Sequence, residues 1–176
     1  MHLSGGRHMI SNIRPTTPED TAEVLALYRR VACSPGGIAR LEVEVSEAYV
    51  RAFLTRTFSD GAGLVAVDES GAIVAEIHAY KPDPYCFSHV LSELTVVVDP
   101  ATQGKRIGKS IFAAFLQVVS EAHPDICRVE LIARESNEIA IKLYESLGFR
   151  KEGKLTGRIK NVDGSIESDI PMAWTR

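Results

Sequence analysis

The chain has 176 residues, 45% of them hydrophobic and 24% charged, with a formal net charge of -3. That length supports one hydrophobic core and is short for two domains, and the scattered basic residues exclude a broad cationic face for duplex nucleic acid. No apolar run approaches the ~20 residues that span a bilayer, and Cys33, Cys86 and Cys127 form no Cys-x-x-Cys pair, so no membrane span, disulfide framework or structural zinc site is expected and a reducing cytoplasm fits. Residues 1–8 are expected to be a vector-encoded remnant ahead of a start at Met9, with residues 9–176 forming a single domain.

A strand is expected at residues 10–14. Thr17-Pro18-Glu19-Asp20 then opens a helix whose apolar positions are Val24, Leu25, Leu27, Tyr28 and Val31. Ser34-Pro35-Gly36-Gly37 breaks it, and Ser46 starts a second helix through Tyr49, Val50, Phe53 and Leu54. Strands at 63–68 and 72–80 form a hairpin about Glu69-Ser70-Gly71, followed by a proline-containing loop at 81–87. The β-branched run at 94–98 reads as a buried strand stopped by Asp99-Pro100.

A helix should begin near Gly104, since Ile107, Ile111, Ala114, Phe115, Val118 and Val119 recur at helical spacing. A strand at 127–133 and a helix from Asn137 to the stop at Gly148 complete a strand-helix-strand-helix run of the kind that gives a mixed sheet covered by helices. Two closing strands flank Asn161-Val162-Asp163-Gly164, the second presenting Ile166, Ile170, Met172 and Trp174 on one face.

The segment Gln103-Gly104-Lys105-Arg106-Ile107-Gly108-Lys109 follows a strand and opens a helix, so unpaired main-chain N-H groups, the positive end of the helix dipole and three cationic side chains converge. Small residues allow close backbone approach, and the combination favours a phosphate or pyrophosphate. Gly104 to Ser110 also reads G-x-x-x-G-K-S, one residue short of a Walker A loop, which moves the Lys and Ser out of register with a triphosphate and its magnesium.

Gln103-Gly104-Lys105-x-Ile107-Gly108, followed about thirty residues later by Asn137-x-x-Ala140-x-x-Leu143-Tyr144-x-x-Leu147-Gly148-Phe149, resembles the paired signature of the GNAT superfamily of acyl-CoA-dependent N-acyltransferases. The resemblance covers most of the chain from Ile10 to Trp174. It implies an α/β fold with a mixed, mostly antiparallel sheet of about six to seven strands and helices on both faces. It also implies acetyl-CoA as co-substrate, with pantetheine hydrogen-bonded along Val96 and Val98, pyrophosphate held by residues 103–109, and no metal. Where many members carry a glycine, this chain has Arg106.

In such enzymes the amine attacks the thioester directly, so a base or water must take its proton and an acid must protonate the thiolate. The resemblance assigns the acid to Tyr144, seven residues from Asn137 and on the same helical face; an aromatic in that apolar stripe could equally be a core residue. Asn137 is a cofactor contact by resemblance and a helix N-cap by residue type. For the base, Glu93 on the cofactor strand is the main candidate. On a straight strand it shares a side with Thr95 and Val97. His89, His78 and a water route stay open; His89 lies about 13 Å from Glu93 at ~3.3 Å per residue unless a bulge intervenes.

The expected acceptor is a primary amine, either a small molecule such as an amino acid or related compound, or a peptide N-terminus, including that of a ribosomal protein. A homodimer is compatible with the sequence. The alternative from another class is a catalytically silent GNAT-like module that binds acyl-CoA as a sensor or partner.

Overall fold

The computed structural model describes residues 10–34, 37–102 and 104–176, with Ser11 described by its main chain alone. The expected remnant at 1–8 and Gln103 of the anion loop lie outside the described residues. Eight strands and four α-helices follow in the order β1 (Ile10–Pro15), α1 (Thr21–Ala32), α2 (Glu47–Asp60), β2 (Gly61–Asp68), β3 (Ile73–Tyr80), β4 (Val90–Val98), α3 (Ile107–Ala122), β5 (Arg128–Arg134), α4 (Glu138–Ser146), β6 (Arg150–Lys151), β7 (Leu155–Lys160) and β8 (Ile166–Thr175). The strands form one mixed sheet ordered β1-β2-β3-β4-β5-β8-β6, with β7 also paired to β8. The β4–β5 pairing is parallel, whereas β1–β2, β5–β8, β6–β8 and β7–β8 are antiparallel. The two-residue β6 raises the count above the expected six to seven, being too short to leave a hydrophobic pattern.

The chain packs as two compact units. The first comprises the described residues up to Thr55 with Gly63–Ile77 and Val96–Phe115. Its helices are anchored by Tyr28, fully buried, whose ring lies 5.2 Å from that of Phe53 and 6.2 Å from that of Tyr49. The Tyr28 hydroxyl donates to the buried Glu76 carboxylate at 2.7 Å, so neither polar group is buried without a partner. Caps confirm the expected helix starts. The Thr17 N-H donates to Asp20 Oδ2 at 2.8 Å, and the Tyr49 N-H donates to Ser46 Oγ at 3.1 Å.

The second unit comprises Arg56–Ala62, His78–Thr95 and Leu116–Arg176. Val129 and Leu131 of β5 and Ile170 and Met172 of β8 are buried, whereas Ile166, expected on the same face, is 58% exposed at the start of β8. Helix α4 ends as its sequence implies. Gly148 takes φ +95°, its N-H donates to the Glu145 carbonyl at 3.1 Å, and the Phe149 N-H donates to the Tyr144 carbonyl at 3.0 Å, which is a Schellman stop. A side chain at Gly148 would also meet Trp174 Cδ1 at 3.3 Å. Among the described residues, no helix is long and apolar enough to cross a membrane and no cluster of three or more ligating side chains could hold a metal.

In the first unit, the Arg14 guanidinium grips Asp20 through two hydrogen bonds of 2.7 Å each and holds its carboxyl below the usual carboxylate range. A depressed folded pKa contributes stability that is full above the unfolded value of about 3.9 and is lost as pH falls through the folded one. Asp20→Asn should therefore cost about 1–3 kcal/mol at neutral pH, and its melting temperature should converge on that of the wild type only as pH falls below about 4 and through the depressed folded value. Thermal melts across an acid pH series check this; a constant gap would assign the loss to packing.

Candidate functional site

The anion loop lies in the first unit. Gly104 takes φ +82° and Arg106 φ +60°, both left-handed, so the chain cannot be helical there and α3 starts at Ile107, three residues beyond the expected point. The first helical bond runs from the Ser110 N-H to the Arg106 carbonyl at 3.0 Å. The N-H groups of Ile107, Gly108 and Lys109 precede it and have no intrahelical acceptor. Gly104, Lys105, Arg106 and Lys109 are exposed, whereas Ile107 is buried and anchors the turn. Left-handed turns at the positive end of a sixteen-residue helix, flanked by three cations, suit a diphosphate.

Strand β4 is longer than expected and is not straight. It begins at Val90, four residues before the predicted start. Its parallel ladder with β5 comprises Val90 opposite Arg128 and Leu91 opposite Val129, and ends there. Two residues later Glu93 takes φ +54°. This left-handed residue breaks the period of two, so beyond the buried Val90 and Leu91 the buried positions are Leu94 and Val97, and Glu93 no longer shares a side with Val97 as a straight strand requires. Val96 and Val98 flank the buried Val97 and are partly exposed.

Within the second unit, the bulge borders a cavity of about 320 Å³. Its walls are residues 92–95 of β4, Arg128, Glu130, Leu131 and Ile132 of β5, Glu152, and Pro171 and Met172 of β8. Arg128 holds Glu130 through Nε at 2.6 Å and both oxygens of Glu152 through its terminal nitrogens. Those carboxylates raise the Arg128 pKa, and Arg128 in turn lowers that of Glu152. The sequence reading missed this trio. Arg128 and Glu130 could have been found from the alternation of β5, but Glu152 lies beyond an intervening helix and carries no local signal.

The other predicted residues divide sharply. Tyr144 is half-buried on α4 with its ring 6.2 Å from that of Phe149, and burial pushes its phenol up to about 12, so it is protonated at neutral pH. Asn137 is the N-cap of α4, its Oδ1 accepting the Ala140 N-H at 3.1 Å. His78 is 2% exposed and stacks on Tyr80 with centroids 6.1 Å apart, which removes it from the surface an acceptor could reach. His89 and Glu93 are both exposed. The His89 carbonyl accepts the Cys127 N-H at 2.9 Å, which fixes the entrance of β4 against β5.

In sequence, the chain is similar to the mycothiol acetyltransferase of Salinispora tropica, 37% identical over 94 residues, which are 52% of this chain and 30% of that protein. The match thus spans less than a third of that relative's length. In structure, it is similar to a GNAT superfamily phosphinothricin acetyltransferase from Sinorhizobium meliloti in complex with AcCoA, with a TM-score of 0.82 at 20% identity over 95% of this chain and 89% of that one. It is likewise similar to the ribosomal-protein-alanine N-acetyltransferase from Brucella melitensis, with a TM-score of 0.81 at 23% identity over 94% of this chain and 99% of that one. At such identities these likenesses establish the fold. Residues 25–149 match the model of the acetyltransferase (GNAT) family, and with most of its length inside that match the chain belongs to this family.

Proposed function

We propose that this chain is an N-acetyltransferase that moves an acetyl group from acetyl-CoA to a primary amine by direct attack. The observation that carries the reading is the state of β4, whose ladder with β5 stops at Leu91, whose backbone turns left-handed at Glu93, and whose sequence runs on into a cationic helix start. Similar proteins include a phosphinothricin acetyltransferase and a ribosomal-protein-alanine N-acetyltransferase, so small amines and peptide N-termini are both acceptor classes to test. The exposed free thiols of Cys33, Cys86 and Cys127 fit a reducing cytoplasm.

Acetyl-CoA supplies the activated thioester. The main-chain groups of Val96 and Val98 hold the pantetheine as an added strand would, and the N-H groups at 107–109 with Lys105, Arg106 and Lys109 hold the pyrophosphate. An alkyl ammonium of pKa near ~10.4 has no lone pair, so Glu93, or a water it orients, takes the proton from the amine. The amine nitrogen then attacks the thioester carbonyl, a C-N bond forms, and the C-S bond breaks with its electron pair on sulfur. The Tyr144 hydroxyl donates its proton to that sulfur and is reprotonated from solvent. A phenol near 12 is a weak acid, so this transfer is favourable only where burial also destabilises the thiolate.

The test is acetyl-CoA-dependent thiol release across a panel of primary amines, alongside calorimetry with CoA. Binding without release from any amine would make the chain a silent acyl-CoA-binding module, and absence of binding to the folded protein would remove the cofactor assignment altogether.

For the anion loop, acetyl-CoA should raise the melting temperature by mass action, and Gly108→Asp should abolish most of that rise by setting a negative charge at the helix start. Arg106→Gly should remove about 1 kcal/mol of left-handed strain, leave stability within about 1 kcal/mol of wild type, and still weaken CoA binding at low salt more than at high salt. An unchanged affinity at low salt would take Arg106 out of the binding site.

Tyr144→Phe keeps the ring and removes the hydroxyl. Turnover should fall about 100-fold or more with little change in CoA affinity. Single-turnover rates that match wild type would make Tyr144 a packing residue and water the proton donor.

A further inference from the structure

Resting on the transferase reading, we propose that the acceptor is a polycationic amine: a primary amine joined through a short apolar spacer to a second cationic nitrogen, with no carboxylate. The cavity beside the β4 bulge is lined by three carboxylates, Glu93, Glu130 and Glu152, against one guanidinium, Arg128. An amino acid needs a cation for its carboxylate, and Arg128 would be the residue to supply it. Arg128 is already committed. Its Nε donates to Glu130, one terminal nitrogen donates to Glu152 Oε1 at 2.9 Å, and the other donates to Glu152 Oε2. A fork-shaped donor satisfied on both sides has no face left for a second bidentate carboxylate.

The trio therefore presents net negative charge, and Glu93 adds another on the adjoining strand. Leu94, Leu131 and Met172 supply the apolar wall between polar groups, which suits methylenes. With the nucleophilic nitrogen at Glu93 and the second cation toward Glu130 and Glu152, the ligand's charges complement the wall at both ends. An acceptor carboxylate would instead meet like charge in a partly enclosed site, where screening by solvent is weakened.

The wild-type chain is assayed for thiol release from acetyl-CoA with 1,5-diaminopentane, lysine and 6-aminohexanoate, which keep the reacting primary amine while changing the far group. At low ionic strength kcat/KM for the diamine should exceed that for 6-aminohexanoate by about tenfold or more, and the ratio should shrink as salt is added. Glu152→Gln frees one side of Arg128, so it should lower kcat/KM for the diamine and raise it for 6-aminohexanoate. Equal or better use of lysine or 6-aminohexanoate by the wild type, or a diamine preference unaffected by salt, would overturn this inference and leave the transferase reading standing. Release from none of the amines in a broad panel would overturn both. The salt series on the wild type decides the matter even where the variant does not fold.

Discussion

Main-chain donors and acceptors of a strand can be spent on a neighbouring strand or on a ligand, and on its β5 side β4 does the first as far as Leu91 and then stops. A straight β4 in register with β5 would extend that ladder to Val96, opposite Arg134 at the end of β5, and occupy that edge. Glu93 prevents this by turning through a left-handed conformation that costs a non-glycine residue about 1–2 kcal/mol. The cost is offset by Leu91, Leu94 and Val97, which remain buried on either side of the bulge and hold the strand in place. That interruption sets the exposed Glu93 in the lining of the cavity and leaves the later residues of β4 outside the ladder with β5.

The polar groups near the cavity show how selectivity can be set without a dedicated recognition residue. Arg128 is the positive charge of the lining, yet Glu130 and Glu152 engage it on both sides. A buried or half-buried guanidinium held on two sides is a structural cross-link between β5 and the segment after β6, and its charge is not on offer. Counting charged residues along the sequence would credit the site with a cation. The geometry commits it to Glu130 and Glu152, in a lining that carries three carboxylates to one guanidinium.

The elements whose ends are written in local chemistry were legible: Ser46 as the cap of α2, Asn137 as the cap of α4, and Gly148 as its stop. Those signals act within a turn of helix. The two positions that were not legible, Glu93 and Arg106, adopt φ values of +54° and +60° with side chains that give no hint of it, because tertiary context overrides their preference. A hint existed in the spacing of Leu91, Leu94 and Val97, where three-residue steps replace the two-residue steps of a strand. The burial of His78 was not legible for a different reason. The run at 73–79 is buried on both faces of β3, and such a strand hides its polar residues as thoroughly as its apolar ones.

The cap at Asn137 has a consequence for molecular recognition. A carboxamide has one oxygen and one NH2 group, and the Asn137 oxygen already accepts the Ala140 N-H. That bond orients the carboxamide and leaves the NH2 group outside the cap. That NH2 group offers donors to a partner that brings a lone pair, such as an amide carbonyl. Aspartate at this position would cap the helix equally well and repel the same partner, so helix stability and ligand polarity are read out of one side chain by its two different atoms.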